Sequence, residues 1–374
     1  MKRKKKKQAV AVLGDSMSDS DLLYLTHFAS GDPFLYIRMG GRSTIILTDF
    51  EVGRAKEEGS VDRVLPISPY MEKAGTNDLA DALAVFLDEK NVTHLKVPAN
   101  FPFGAAETLR GHGFVVEIAP DPFVRDREQK DSYEIKLLTQ TLRKTEKALE
   151  TAIRWIQSSS VRRGTLYVGG RPLTAEMVRK RIHLDLMEAD CIASAGTIVA
   201  CGDQAVDPHN QGHGPLKANK PIVIDVFPRS QTTYYWGDIT RTVVKGKATD
   251  YVRKMFKTVR EGQRIGVGMI KPGVRGDKVH GAIVEYFEQK GFETKIMKGK
   301  FQGFIHGTGH GVGLDIHEAP RVSKVNLKLK AGNVVTVEPG LYYLGHGGIR
   351  IEDMVAVTAT GAKNLTKMPK ILEV

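Results

Sequence analysis

The sequence predicts an α+β protein in three parts: a basic tail at 1–8, a smaller α/β domain at 9–126 and a larger domain at 127–374. Its 374 residues exceed one ordinary domain of ~150 and can bury a sizeable core without staples. In the first third, short β-branched runs alternate with helical periodicity, the pattern of an α/β layer. Further on, strand-like runs follow one another through connections too short for crossover helices. That favours antiparallel pairing over a Rossmann order.

In order along the chain, 42–50 (RSTIILTDF) reads as a strand rich in β-branched residues. Asn77 is placed to cap the helix NDLADALAVFLDEKN, with Leu79, Leu83, Phe86 and Leu87 on one face. Short strands at 94–98 and 113–118 flank a small helix near 105–110. The charged stretch VRDREQKDSYEIKLL then opens the longest helical pattern, in which Ile135, Leu138, Leu142, Leu149, Ile153 and Ile156 share a face, so the domain boundary falls near Arg127. Next come a helix at 174–189, strands at 197–201, 221–227 and 235–245, helices at 249–264 and 277–290, and strands at 334–338 and 349–358.

Composition excludes disordered, collagenous and disulfide-scaffold classes: 41% of residues are hydrophobic and 26% charged. The only cysteines are Cys191 and Cys201, which suits a reducing compartment. The formal net charge is +12, but Lys2, Arg3, Lys4, Lys5, Lys6 and Lys7 supply half of it, so the excess is a local arm rather than a nucleic-acid-binding face. Ala9–Leu13 is shorter than the apolar core of about 7–15 residues that a secretion signal needs, and no run approaches the ~18 apolar residues of a membrane span. The expectation is a cytoplasmic protein without membrane or nucleic-acid partners.

The densest polar information lies at 209–352. Asp225 interrupts the apolar run PIVIDVFP, where a desolvated carboxylate needs a partner or a metal. Asp238 follows in YYWGDITRTVV. With 229–233 as a hairpin loop, the two aspartates sit on neighbouring strands and can face each other. The alternatives are two loop-edge aspartates or an Asp238–Arg241 pair. His306, His310 and His317 lie in HGTGHGVGLDIHEAPR. The first two have the spacing of zinc-binding helices, but Gly307, Gly309 and Gly311 oppose a helix and suggest backbone passing close to something. Glu338 stands between Val337 and Pro339, and Glu352 in GIRIEDMVAV shares a strand face with Arg350. A surface Arg–Glu pair is the plain reading of that face; an arginine beside a metal-bound carboxylate is the functional one.

Asp225, Asp238, His310, Glu338 and Glu352 form an oxygen-rich set with one imidazole. Four carboxylates balance two divalent cations, most favourably Mn²⁺, with Co²⁺ or Zn²⁺ as alternatives. Two metals ~3.5–4 Å apart hold a bridging water as hydroxide near neutral pH and polarise a carbonyl, which points to hydrolysis.

These residues sit in motifs that resemble the pita-bread metallopeptidases, in the creatinase, prolidase and Xaa-Pro aminopeptidase branch. LLYLTHFASGDPFLYI and ILTDFEVGRA resemble the creatinase-type N-terminal domain. KDSYEIKLL resembles the linker helix, and DITRT, HGVGLDIHE, TVEPGLY and GIRIED follow in the family order. The resemblance implies a pita-bread catalytic domain, a pseudo-two-fold antiparallel sheet covered by helices, and a homodimer acting on Xaa-Pro dipeptides or longer proline-containing peptides. It also implies that Asp225 binds one metal, that Asp238 and Glu352 bridge both, and that His310 and Glu338 complete the set, Glu338 shuttling a proton. His306 and His317 would stabilise the tetrahedral intermediate, while His209, Arg321 and Arg350 would contact substrate; Arg321 also reads as a plain loop arginine, and His213 is a neighbour easily mistaken for His209. The segment DVFPRSQTTYYWGD spaces the two aspartates further apart than the family pattern; a longer hairpin loop absorbs this, whereas a register shift would turn one carboxylate away. An Xaa-Pro bond has no N–H, so a pair of metals acting on its carbonyl suits it where backbone-pairing proteases lose a donor. The resemblance leaves two alternative readings of this chain, a creatinase-like C–N hydrolase working without metal and a catalytically altered relative that binds protein or nucleic acid; the complete set of five ligands counts against both.

Overall fold

A computed structural model describes residues 7–297 and 299–374, so Lys2–Lys6 of the basic tail lie outside the described residues. The chain divides into two compact units between Arg125 and Asp126. No described helix is long and apolar enough to cross a membrane.

The smaller unit is built on six strands and five helices among the described residues. These are β1 (Lys7–Gly14), α1 (Ser20–Thr26), β2 (Phe34–Met39), β3 (Arg42–Leu47), α2 (Val52–Glu58), β4 (Arg63–Pro66), α3 (Ser68–Ala74), α4 (Leu79–Glu89), β5 (Val92–Val97), α5 (Phe103–Gly111) and β6 (Val115–Ile118). The sheet order is β4-β3-β2-β1-β5-β6, antiparallel at β1–β2–β3 and parallel elsewhere. Alternation along the strands supplies two cores. Leu35, Ile37 and Ile46 pack with Leu83, Phe86 and Leu87 of α4 on one face. Phe34, Tyr36, Ile45 and Leu47 pack with Leu22, Phe28 and Ala55 on the other.

Three local readings change here. Lys7 and Gln8, assigned to the tail, belong to β1 and pair with β5. The cap of α4 is Asp78 rather than Asn77: its Oδ1 accepts from the amides of Ala80 (2.7 Å) and Asp81 (3.2 Å). The strand expected over 42–50 stops at Leu47, because Asp49–Glu51 winds a 3₁₀ turn into α2.

The larger unit opens with α6 (Ser132–Ser158), started by a capping box in which Asp131 and Glu134 bond each other's amides. Its buried face carries Leu138, Leu142, Leu149 and Ile156. There follow β7 (Ser160–Arg162), β8 (Thr165–Val168), β9 (Arg171–Pro172), α7 (Ala175–Met187), β10 (Cys191–Ile192), β11 (Thr197–Cys201), β12 (Ile222–Val226), β13 (Arg229–Ser230), β14 (Ile239–Val243), α8 (Asp250–Met269) and α9 (Gly276–Gln289). The chain ends with β15 (Lys295–Met297), β16 (Lys300–Gln302), β17 (Gly309–Gly311), β18 (Glu318–Val322), β19 (Val334–Val337), β20 (Gly340–Tyr343), β21 (Gly347–Arg350), β22 (Asp353–Val357) and β23 (Ala362–Asn364).

Two antiparallel sheets matter most, β11-β12-β14 and β18-β17-β19-β22-β23. α8 and α9 cover a core that includes Val259, Ile283, Phe287, Val335, Val337 and Ile349. The strand expected over 349–358 breaks in two, because the chain changes partners there. The amide of Ile351 bonds Pro339 O (3.5 Å) and that of Glu352 bonds Thr240 O (3.1 Å) before β22 joins β19. Ile283 of α9 is fully buried in this core. Ile283→Ala should cost about 2–5 kcal/mol of stability, read as a lowered denaturation midpoint with little change in slope.

Candidate metal centre

β12 and β14 pair with Asp225 opposite Thr240. Opposed residues share a sheet face, and Asp238, immediately before β14 and two residues from Thr240, lies close enough to Asp225 to feel its charge. The segment between them is more than a loop. Arg229–Ser230 forms β13 against β10, and Arg229 bridges Trp236, before β14 begins. Gly237 lets this backbone reach α6, since a Cβ there would stand 2.4 Å from Thr145 Oγ1 and 3.1 Å from the Leu142 amide. Arg241 does not pair with Asp238: its NH2 donates to Asp353 Oδ1 at 2.8 Å.

His310 lies on β17, between β18 and β19. The glycines beside it permit tight strand packing, not a helix; a Cβ on Gly309 would fall 1.9 Å from Thr336 O. The ring Nδ1 of His310 is 3.1 Å from Gly311 O, and a carbonyl only accepts, so Nδ1 carries the proton. The Nε2 lone pair then faces Glu338 Oε1 at 3.4 Å and Asp238 Oδ2 at 3.6 Å. Glu338 follows β19, its amide bonded to Thr308 O (2.7 Å). Glu352 sits in the break after β21, with Oε2 accepting from Thr240 Oγ1 at 2.8 Å. Asp238, His310 and Glu352 bring ligand atoms within 4.8 Å of one another. Asp225 and Glu338 flank that trio; Asp225 Oδ1 is buried without a hydrogen-bond partner among the described residues.

Burial, reinforced by the neighbouring carboxylates, holds the carboxyls of Asp238 and Glu352 well above the usual range. Glu338 is pushed up to about 8, mainly by burial and further by Asp225, against the pull of Arg350. Burial lowers His310 to about 3, with His317 adding to the effect, so its imidazole is neutral and able to ligate.

Arg350 is buried but does not pair with Glu352 as the strand pattern suggested. Its NH2 donates to Asp225 Oδ2 at 2.7 Å and its NH1 to the Tyr342 hydroxyl at 3.1 Å. His306 Nδ1 donates to Gly307 O (2.8 Å), so Nε2 accepts from Tyr342 Oη at 2.7 Å. His306 therefore meets the cluster through Tyr342. His317 is exposed, its ring edge-on to His310 with centroids 4.3 Å apart. Arg321 lies opposite His310 on β18 and is exposed, its charge acting on His310, His317 and Glu338. His209 is exposed, and its field reaches both His306 and His317.

Known proteins share this arrangement of elements. The sequence profile described as metallopeptidase family M24 matches residues 136–359. The chain belongs to metallopeptidase family M24. The M24 chain is 29% identical to a protein named Xaa-Pro dipeptidase from Pyrococcus horikoshii, over 90% of its own length and 88% of that relative's. A prolidase structure from Pyrococcus furiosus superposes with a TM-score of 0.79 at 25% identity, covering 97% of both chains. An X-Pro aminopeptidase from Thermotoga maritima superposes with a TM-score of 0.81 at 23% identity, over 98% of both chains, and shows the fold alone. The M24 chain thus has the pita-bread fold behind its N-terminal unit.

The donor set fits the divalent cations that this family implies. An orphaned buried carboxylate oxygen, two carboxyls far from their ordinary range and a neutral imidazole lone pair all converge on one place. Two participants escaped sequence reasoning. Tyr342 was visible only as a member of the TVEPGLY motif, and Thr240 only as the residue after Ile239 in DITRT. Neither residue type signals chemistry by itself. In chelator-treated protein, Glu338 keeps its proton from pH 4.5 up to about 8 while the unfolded chain gives its proton up. Stability should therefore fall as pH rises through that window, by up to about 1.4 kcal/mol per pH unit for this group. Thermal unfolding against pH should show a shallower decline in Glu338→Gln.

Proposed function

We propose that this M24 chain is a dinuclear metal-dependent exopeptidase that cleaves Xaa-Pro bonds, with Xaa-Pro dipeptides as the first substrate class to test. One observation carries the reading: three buried carboxyls and a fourth partly buried one surround a single imidazole, and among the described residues Arg350 is the buried cation that bonds one of them, since the buried Arg241 gives its side-chain ion pair to Asp353. Such a cluster calls for bound positive charge. A relative matched over 90% of the chain is named Xaa-Pro dipeptidase, which favours the dipeptidase over the aminopeptidase reading.

The catalytic domain spans 127–374, preceded by the creatinase-type domain at 9–126. Asp225, Asp238, His310, Glu338 and Glu352 hold two cations, and a carboxylate-dominated set favours Mn²⁺ over Co²⁺ or Zn²⁺. When bound, these cations supply Lewis acidity toward the scissile carbonyl and bring a water toward ionisation near neutral pH. Glu338 takes the proton of the attacking water and delivers it to the proline nitrogen, which leaves as a secondary amine. His317 stands on the open side, where its ring can donate to the oxygen that gains charge. Arg350 holds Asp225 in place and polarises Tyr342, and His306 fixes the direction of the Tyr342 hydroxyl. Arg321 and His209, both exposed, take the substrate side; Arg321 suits the free carboxylate of a dipeptide. Two free cysteines agree with work in the cytoplasm, and a homodimer is the assembly we infer from the family resemblance.

Metal-stripped protein should be inactive on Xaa-Pro and regain activity with Mn²⁺, and a parallel assay on Xaa-Pro-Xaa peptides separates dipeptidase from aminopeptidase. Equal rates before and after reconstitution would exclude the metal reading. Asp238→Asn should lower kcat/KM by more than about a hundredfold, beyond the usual effect of losing an outer partner, with the circular dichroism spectrum retained.

A further inference from the structure

The segment that opens the larger unit carries two cations belonging to none of the residues assigned above to metal or substrate. Lys130, just before α6, is 4% exposed as a residue and 1% as a side chain. An ammonium so buried needs a counter-charge. Its Nζ donates to Glu318 Oε1. Arg127 NH2 donates to Oε2 of the same carboxylate at 2.8 Å and to Asp315 Oδ2 at 2.6 Å. Each glutamate oxygen thus receives its own charge-assisted bond, which fixes the carboxylate plane as one donor alone would not. The cations are themselves tied down. The Lys130 amide bonds Gly332 O (2.8 Å), Asn333 Nδ2 bonds Glu128 O (2.7 Å) and Gln129 Nε2 bonds Ala331 O (3.2 Å).

What they grip is the turn between β17 and β18. Asp315 lies within it, Glu318 begins β18, and His317 stands between the two. The far side of the turn is held by Trp236, whose amide bonds Gly313 O (3.0 Å) and whose Nε1 bonds Leu314 O (2.9 Å). The imidazole of His317 is exposed. Its place beside His310 therefore depends on how firmly its neighbours are anchored.

We propose that Lys130 and Arg127 are positioning residues for His317: by gripping Glu318 from two sides they set the turn that presents the imidazole to substrate. The consequence for catalysis rests on the proposed role of His317 in Xaa-Pro hydrolysis; the grip itself does not.

Hydrogen exchange on the full chain, with and without added Mn²⁺, tests the grip directly. Lys130→Met should speed exchange of the amides at 313–318 by about tenfold or more, as expected when an anchored turn opens locally, with the smaller unit unchanged. Lys130→Arg should restore most of the protection. Glu318→Gln keeps the side-chain shape and weakens both contacts; it should raise exchange in the same segment, and decides the matter if Lys130→Met does not fold. Unaltered exchange at 313–318 overturns the proposal. On Xaa-Pro substrate, Lys130→Met should lower kcat/KM by about 10–100-fold, and by little more in a His317→Ala background, because residues acting through one another are not additive. An undiminished loss in that background also overturns it. A wild type inactive on every Xaa-Pro peptide with Mn²⁺ present would sink the functional reading instead, leaving the exchange result to decide the grip.

Discussion

The concentration of carboxylates at one point of a sheet interior is the constraint on which the rest of this structure depends. Two like charges 4 Å apart repel by about 4 kcal/mol even at an effective dielectric of 20. Asp225, Asp238, Glu338 and Glu352 together exceed what Arg350 offsets, and burial with mutual repulsion holds the carboxyls of Asp238, Glu338 and Glu352 above their usual range. A fold that places such a cluster has to spend rigid structure on it. It does so with two antiparallel sheets whose ends converge, so that Asp225 and Asp238 arrive from one and His310 and Glu338 from the other. Glu352 arrives from the break between β21 and β22.

Strand alternation lets single motifs serve both the cluster and its support. In DITRT, Thr240 faces the site and bonds Glu352, whereas Arg241 points away. Arg241 binds the carbonyls of Thr240 (2.9 Å) and Glu352 (2.6 Å) and the Asp353 carboxylate. Asp353 in turn meets Lys370 near the chain end at 2.6 Å. Glu352 and Asp353, adjacent in sequence, thus divide between the carboxylate cluster and an ion-paired network behind it, in which two cations meet one carboxylate. Burial raises the first, and the two cations beside the second hold it below its ordinary value despite its burial. Neighbouring acids differ because only one has permanent counter-charges.

The chain Asp225–Arg350–Tyr342–His306 extends the same economy sideways. Each link has a defined direction: the guanidinium donates to the carboxylate and to the phenol oxygen, and the phenol donates to the imidazole, whose other nitrogen donates to Gly307 O. Burial keeps His306 neutral, down to about 3, with the Arg350 charge adding to the effect. A neutral ring is what allows Nε2 to accept. The anchored turn around His317 is the counterpart on the exposed side, where ion pairs rather than a hydrogen-bond relay do the positioning.

Read by itself, the sequence determined a chain boundary near residue 126, most helices, the antiparallel character of the larger unit and the acidic and imidazole residues that the fold brings together. Those are legible because periodicity and isolated charges in apolar runs are local signals. Tertiary structure decided that Arg350 pairs with Asp225 instead of Glu352, that Arg241 turns to Asp353, and that 349–358 is two strands. It also decided that the stretch before Asp238 folds as β13 against β10, and that Tyr342 and Lys130 belong to networks reaching across the domain. Each of those depends on which residue from a distant segment stands opposite, and a side chain's partner is set by register and by the competition among nearby charges, neither of which a linear pattern contains.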